Sequence, residues 1–262
     1  MQPAVVSWKA AGEIMYELFV YGGTLPEAYH NALKCLQDMG KTVPCPDYST
    51  TQKELSMTIN VLLPLQEPMI SRLFIGGFHE LEQYRQELLD GILDFEIDKG
   101  NWEYTYHDRI GYQEQFVIDE LKRNPYSRRA VIDVRRLSDM KTDDPACLQH
   151  IQYFIRDDKL HCKVLFRSND ACKATFMNAF ALIMLQKRIA DELGVEVGTY
   201  THRANSFHCY EKDFPLLAGY VERILEGKAL TYDYVGEWDE LMEEAKADIA
   251  EKVERLKNNA AD

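Results

Sequence analysis

Between Pro145 and Tyr210 the sequence gathers side chains able to do covalent and anion-binding chemistry. Cys147, in Pro145-Ala146-Cys147-Leu148, opens the stretch. A thiol becomes a useful nucleophile when nearby positive charge lowers its pKa from about 8.5. Arg167 supplies such a charge if the strand-like runs Ile151–Ile155 and Lys163–Phe166 pair, because the end of the second then lies beside the start of the first. Arg167-Ser168 also offers a fork of donors and a hydroxyl, the chemistry that holds a phosphate. Asn178 falls inside an apolar helix, Thr175 to Leu193. A buried amide there either caps something internal or reads a ligand's edge, and it can pair with a uracil-like edge, whereas a carboxyl would suit cytosine's amine better. His208 and Tyr210 are two apart on an extended segment, so they point the same way, suited to a sugar hydroxyl.

The elements that must position these groups follow from periodicity. Leu25–Met39 reads as an amphipathic helix with Pro26 near its start and Gly40 at its end. A proline-containing loop is expected over Thr42–Thr51, and a strand over Leu55–Leu63. His79–Leu89 is helical, with Leu81, Tyr84 and Leu88 on one face, Glu80, Glu82 and Glu87 elsewhere, and Gly91 as stop. Trp102–Ile110 fits loop or strand; Tyr112–Lys122 is helical and Asn124-Pro125 breaks it. Ala130–Val134 is a short strand, Phe214–Leu225 and Leu241–Leu256 are helices, and Lys257–Asp262 frays. Helices and strands mix without regular βαβ alternation or a Gly-rich phosphate loop, which makes this an α+β chain, with no linker that would divide residues 1–262 into two domains.

Bulk composition narrows the function classes. A formal charge of −13 argues against a general nucleic-acid binder. Arg123, Arg128, Arg129, Arg135, Arg136, Arg156 and Arg167 nevertheless crowd one part of the acidic chain, which suits a small anionic ligand. The cysteines at 35, 45, 147, 162, 172 and 209 show neither zinc-site pairs nor a disulfide-rich spacing, so no metal is expected. No apolar run is long enough to cross a bilayer, and Met1–Tyr16 lacks the pattern of a secretion signal, so a cytoplasmic location is expected.

The order Pro-x-Cys, Arg-Ser-x-Asp, Asn in an apolar helix, then His-x-Tyr resembles the thymidylate synthase family, in register from Cys147 through Arg167, Asp170, Asn178 and His208 to Tyr210. Ser127-Arg128-Arg129 looks like that family's paired arginines, and the resemblance covers roughly Glu80–Tyr210 (core about 80–215). It implies one catalytic domain with a mixed sheet and a long buried helix, in a homodimer packed back to back on its sheets. It further implies a pyrimidine deoxynucleotide, dUMP by preference, and 5,10-methylenetetrahydrofolate as one-carbon donor. On this resemblance Cys147 adds to C6 of the ring; Arg167 and Ser168 hold the phosphate, with Arg128 and Arg129 coming from the other subunit. Asn178 reads the base, His208 and Tyr210 hold the 3′-hydroxyl, and Asp170 contacts the pterin. Glu82, or else Glu80, orders water for proton transfers, and Tyr106 helps remove the C5 proton. The sequence departs from the family at Lys173–Met177, where a glycine-proline pair is usual, and at His107, where a glycine follows the tyrosine. Pro46–Glu54 offers only Ser49, Thr50, Thr51 and Lys53 where an arginine-containing phosphate loop is usual, and Glu251–Asp262 is charged where the family's end is apolar. These departures bear on water exclusion. They leave a pyrimidine-nucleotide hydroxymethyltransferase, acting on dUMP, dCMP or CMP, as the second reading and a non-catalytic nucleotide-binding protein as the third.

Overall fold

The structure is a computed structural model, and it describes residues 17–236 and 239–258. Met1–Tyr16 and residues 259–262, which belong to the end expected to fray, lie outside the described residues. In chain order the first elements are β1 (Glu17–Gly22), α1 (Leu25–Met39), β2 (Lys41–Cys45), β3 (Thr50–Val61) and β4 (Ile70–Ser71). Helices α2 (Phe78–Asp90), α3 (Phe95–Asp98), α4 (Tyr106–Ile110) and α5 (Gln113–Arg123) follow. Then come β5 (Val131–Asp133), β6 (Leu148–Arg156), β7 (Lys159–Phe166), β8 (Asn169–Asp170), α6 (Thr175–Leu193) and β9 (Glu196–Tyr210). The described chain ends with α7 (Phe214–Leu225), β10 (Thr231–Tyr232) and α8 (Asp239–Asn258).

An eight-stranded mixed sheet in the order β1-β3-β9-β7-β6-β5 organises the molecule, with β2 added to β3 and β8 to β9. β9 lies parallel to β7 and antiparallel to β3, while β6 and β7 form an antiparallel hairpin. One face is apolar: Val20, Met57, Ile59, Tyr200, Ala204, Val164 and Ile151 are buried. The other carries exposed Phe19, Tyr21, Lys163, Arg203 and Asn205. Helices α1 and α6 cover the apolar face, α1 on β1 and β3, α6 on β7 and β9. α6 is buried nearly all round because α2 and α5 pack on it from outside the sheet. That explains why α6 is apolar on nearly every side as far as Gln186, whereas Lys187, Asp191 and Glu192 in its last turns are exposed. α8 then lies on α2, with Ile249 and Val253 against Leu93. No helix among the described residues is long and apolar enough to cross a membrane.

Three segments depart from the sequence expectations. Residues 42–51, expected as a loop, are mostly the β2–β3 hairpin, and β3 stops at Val61 because Leu62 and Leu63 turn outward. Tyr106–Ile110 is neither loop nor strand but a one-turn helix, started by Thr105, whose hydroxyl accepts from Asp108 N. The fifteen-residue β9 was legible only at its end, because its inward positions Gly198, Tyr200, His202 and Ala204 carry no aliphatic alternation.

Candidate active site

The β6–β7 hairpin brings Arg167 to Cys147, as the pairing of those runs required. Leu148 faces Phe166 in register, and Arg167 N donates to Cys147 O at 2.8 Å. The guanidinium then wraps back, Nη2 donating to Pro145 O at 2.6 Å and Nε to Ala146 O at 3.2 Å. Cys147 is half-buried, and burial pushes its thiol pKa up; Arg167 opposes that and Asp144 adds to it. Arg167 thus acts in the expected direction, but desolvation of the thiolate outweighs it.

Parallel pairing of β8 with β9 sets the next group, with Asp170 opposite His208. Ser168 Oγ lies 3.3 Å from His208 Nδ1, and the His208 and Tyr210 rings meet edge to face at 4.8 Å. His208 Nε2 is buried and has no hydrogen-bond partner among the described residues, an open valence for a ligand hydroxyl. Asp170 Oδ1 accepts from Cys172 N and Lys173 N, both at 2.9 Å, so this carboxylate fixes the turn leading into α6. Asn178, one turn into α6, is buried; its Oδ1 accepts from Asn169 Nδ2 at 2.9 Å and its Nδ2 donates to Tyr84 Oη at 2.6 Å.

These side chains line one cavity of about 450 Å³, which holds Cys147, Arg167, Ser168, Asp170, Asn178, His208, Tyr210 and Tyr106. Tyr106 Oη accepts from Leu148 N at 3.3 Å, tying α4 to the residue after the cysteine. Burial raises its pKa, so it stays a neutral phenol that can donate. The neighbouring Tyr104 is pushed up to about 12 for the same reason.

Three residues of the expected set do not line it. Glu82 is buried on another face of α2, where its carboxylate takes Arg85 Nη2 at 2.8 Å and Nε at 2.9 Å, Gln86 Nε2 at 2.9 Å and the Tyr234 hydroxyl at 3.4 Å. Its lone pairs are spent on these donors, which leaves no geometry for ordering water beside Cys147. Glu80, the other choice, caps its own helix by accepting from Gly77 N at 2.7 Å. Arg128 and Arg129 are exposed and lie off the cavity within this subunit. Their turn is held by Glu120, which accepts from Ser127 Oγ at 2.5 Å and Arg129 Nε at 3.2 Å. Arg123 and Ser127 hold that carboxyl down to about 2.

Other lining residues escaped the sequence reading. The β2–β3 hairpin contributes Cys45, Asp47, Tyr48 and Gln52, with Tyr48 edge-on to Tyr210 at 5.3 Å. Asp144, Asn169 and Met177 also line the cavity. Tyr84 does too; its place on the Leu81–Leu88 stripe pointed inward, but to a packing role. A second, aromatic cavity of about 260 Å³ shares Tyr84 and Tyr106 with the first and adds Trp102, Tyr104 and Glu87. Burial raises the Glu87 pKa. Among the described residues no cluster of His, Cys, Asp or Glu is placed to hold a metal ion.

A family profile described as thymidylate synthase matches residues 89–247. A relative in Methanocaldococcus jannaschii, provisionally named thymidylate synthase, is 34% identical over 64% of this chain and 81% of its own. The thymidylate synthase of Bacillus subtilis subsp. natto is 29% identical over 56% of this chain and 53% of that one. The structure of thermostable thymidylate synthase A from Bacillus subtilis superposes with a TM-score of 0.65 at 17% identity, covering 80% of this chain and 86% of that one, which shows a shared fold. The profile match over more than half the sequence, together with the methanogen relative, places this chain in the thymidylate synthase family, a family of one-carbon transferases.

Proposed function

We propose that the protein is a thymidylate synthase that converts dUMP to dTMP with 5,10-methylenetetrahydrofolate. The observation that carries this reading is the convergence of Cys147, Arg167, Asn178 and His208 on one cavity. In this scheme Cys147 Sγ bonds to C6 of the uracil, and the C5–C6 electron pair moves to C5 and O4, making C5 a carbon nucleophile. Arg167 and Ser168 hold the phosphate, His208 Nε2 and Tyr210 the 3′-hydroxyl, and Asn178 the base edge. Tyr106 donates to the water that removes the C5 proton, after which C6 releases the thiolate. Glu87, across the shared Tyr84–Tyr106 wall, replaces Glu82 as the carboxylate ordering that water. The aromatic second cavity suits a flat bicyclic ring, and Asp170 in the first cavity, which shares Tyr84 and Tyr106 with it, offers a carboxylate, so Trp102, Tyr104 and Asp170 are the residues to hold the folate. When bound, the folate supplies a methylene group and a hydride.

The proposed assembly is a homodimer formed through the exposed sheet face, with Arg128 and Arg129 of each subunit completing the partner's phosphate site. Their exposure and their distance from their own cavity support this.

One observation favours the second reading. α8 packs on α2, and no described residue after Tyr210 lines the cavity. An unclosed cavity admits water, which would trap the C5 methylene as a hydroxymethyl group. Incubation with labelled methylenetetrahydrofolate and dUMP, dCMP or CMP decides between them. Dihydrofolate and dTMP from dUMP support the synthase; a hydroxymethylated nucleotide without dihydrofolate overturns it. Activity that survives Cys147→Ala removes both.

A further inference from the structure

The amide of Asn178 is not free to turn, because it ends a buried chain of hydrogen bonds. Asn169 Nδ2 donates to Asn178 Oδ1 at 2.9 Å, His202 Nε2 lies 2.9 Å from Asn169 Oδ1, and Tyr200 Oη lies 3.0 Å from His202 Nδ1. Thr175 Oγ1 also reaches Asn169 Oδ1, at 2.8 Å. At the other end Asn178 Nδ2 meets Tyr84 Oη at 2.6 Å. His202 is 1% exposed, stacked on Phe166 at 4.7 Å, and burial pushes its pKa to about 3. A neutral imidazole has one donor and one acceptor nitrogen, so its tautomer sets the direction of every bond in the chain.

The two ends decide which direction holds. Tyr200 is 0% exposed, and its hydroxyl meets only His202 Nδ1 among the described residues. Its proton therefore goes to Nδ1, and leaving it undonated in the core would be costly. Nε2–H then donates to Asn169 Oδ1, and Asn169 donates to Asn178. Tyr84, at the other end, lines the cavity and has the cavity for its own proton. In this direction the site presents two donors, Asn178 Nδ2–H and Tyr84 Oη–H, beside one acceptor, Asn178 Oδ1. Uracil's edge is the complement: O4 takes two donors, and N3–H needs an acceptor. The reverse direction would show two acceptors and one donor, the complement of cytosine's N4 amine and N3.

We propose that His202, acting through Asn169, is the positioning residue that sets base specificity, its Nε2–H tautomer selecting a uracil edge over a cytosine edge. This rests on the reading of the cavity as a pyrimidine nucleotide site. The experiment measures dUMP and dCMP affinities by calorimetry for the wild type, His202→Phe and His202→Gln. The wild type favours dUMP by about a hundredfold, the scale of a mismatched bidentate base contact. His202→Phe keeps the stack on Phe166 but frees Asn169, and the dUMP/dCMP ratio falls about tenfold or more. In His202→Gln an amide N–H replaces the imidazole donor, and the ratio returns toward that of the wild type. A merely structural role would weaken both nucleotides together and leave the ratio in place, which would overturn the proposal. The ¹⁵N shifts of the wild-type His202 ring give a reading that needs no variant: protonated Nε2 supports the relay, and protonated Nδ1 overturns it. Failure of the wild type to bind either nucleotide would instead refute the nucleotide-site reading, and the relay with it.

Discussion

At Cys147 burial and charge oppose each other, and the balance tells how the thiol is used. Burial raises its pKa while Arg167 lowers it, so the resting group is a thiol whose ionisation depends on one guanidinium. Replacing Arg167 by Met removes the lowering charge. Alkylation of Cys147 at pH 8, followed by peptide mass spectrometry, is expected to slow about tenfold, because less of the thiol is ionised once that charge is gone. An unchanged rate would mean that Arg167 contributes only phosphate contacts. His30 and His202 give a pH prediction. Burial depresses them to about 4 and about 3, below the unfolded value of about 6.5. Between those values the unfolded chain binds more protons, so stability is full above about pH 6.5 and is lost as pH falls toward the folded pKa values. The slope is about 1.4 kcal/mol per pH unit for each histidine. Denaturant midpoints from pH 7 to 4.5 check it, and His202→Gln should flatten the curve.

Among the elements, α4 carries the tightest requirement, because a single turn holds Tyr106 against Leu148. Its anchor is the buried pair Arg109–Asp139 at 2.7 Å, with Arg109 also over the Tyr104 ring at 5.0 Å. Arg109→Leu leaves the buried Asp139 with only Arg135, at 3.7 Å, and the Arg136 N–H, at 3.1 Å, which costs about 3 kcal/mol. Calorimetry is expected to show a melting point lower by roughly 10 °C, at about 2–4 °C per kcal/mol for a chain of this size. No part of this anchor was legible in the sequence, since a helix of five residues has no period to detect and its ion pair spans thirty positions. The α2 stripe of Leu81, Tyr84 and Leu88 was legible as a face, and it already set Glu82 apart from Tyr84. It set Glu80 and Glu87 apart as well, so the stripe could not choose among the three carboxylates, and the Arg85 bonds show where that of Glu82 went.

At the scale of the molecule, the sequence from Cys147 to Tyr210 foretold which groups meet, because a hairpin and a parallel strand pair fix their positions locally. The cavity's other wall, from the β2–β3 hairpin, depends on β3 pairing with β9 about 150 positions away, as in Gln52 opposite Tyr210. Single-sequence patterns carry no record of such pairing. The proposed dimer has its own test. Cys147→Ala and the double variant Arg128→Ala/Arg129→Ala are each expected to be nearly inactive. Refolded together, they should regain about a quarter of wild-type sites, since half the dimers are mixed and one site in each is intact. No recovery would place those arginines outside the partner's site. Helix α2 lies between α8 on one side and α6 on the other, and it carries Tyr84 and Glu87 to the cavity wall. The carboxyl-terminal helix is therefore a brace behind the base-reading wall, and any binding event that pried it loose would reach the chemistry by letting that wall slacken, without touching a nucleotide.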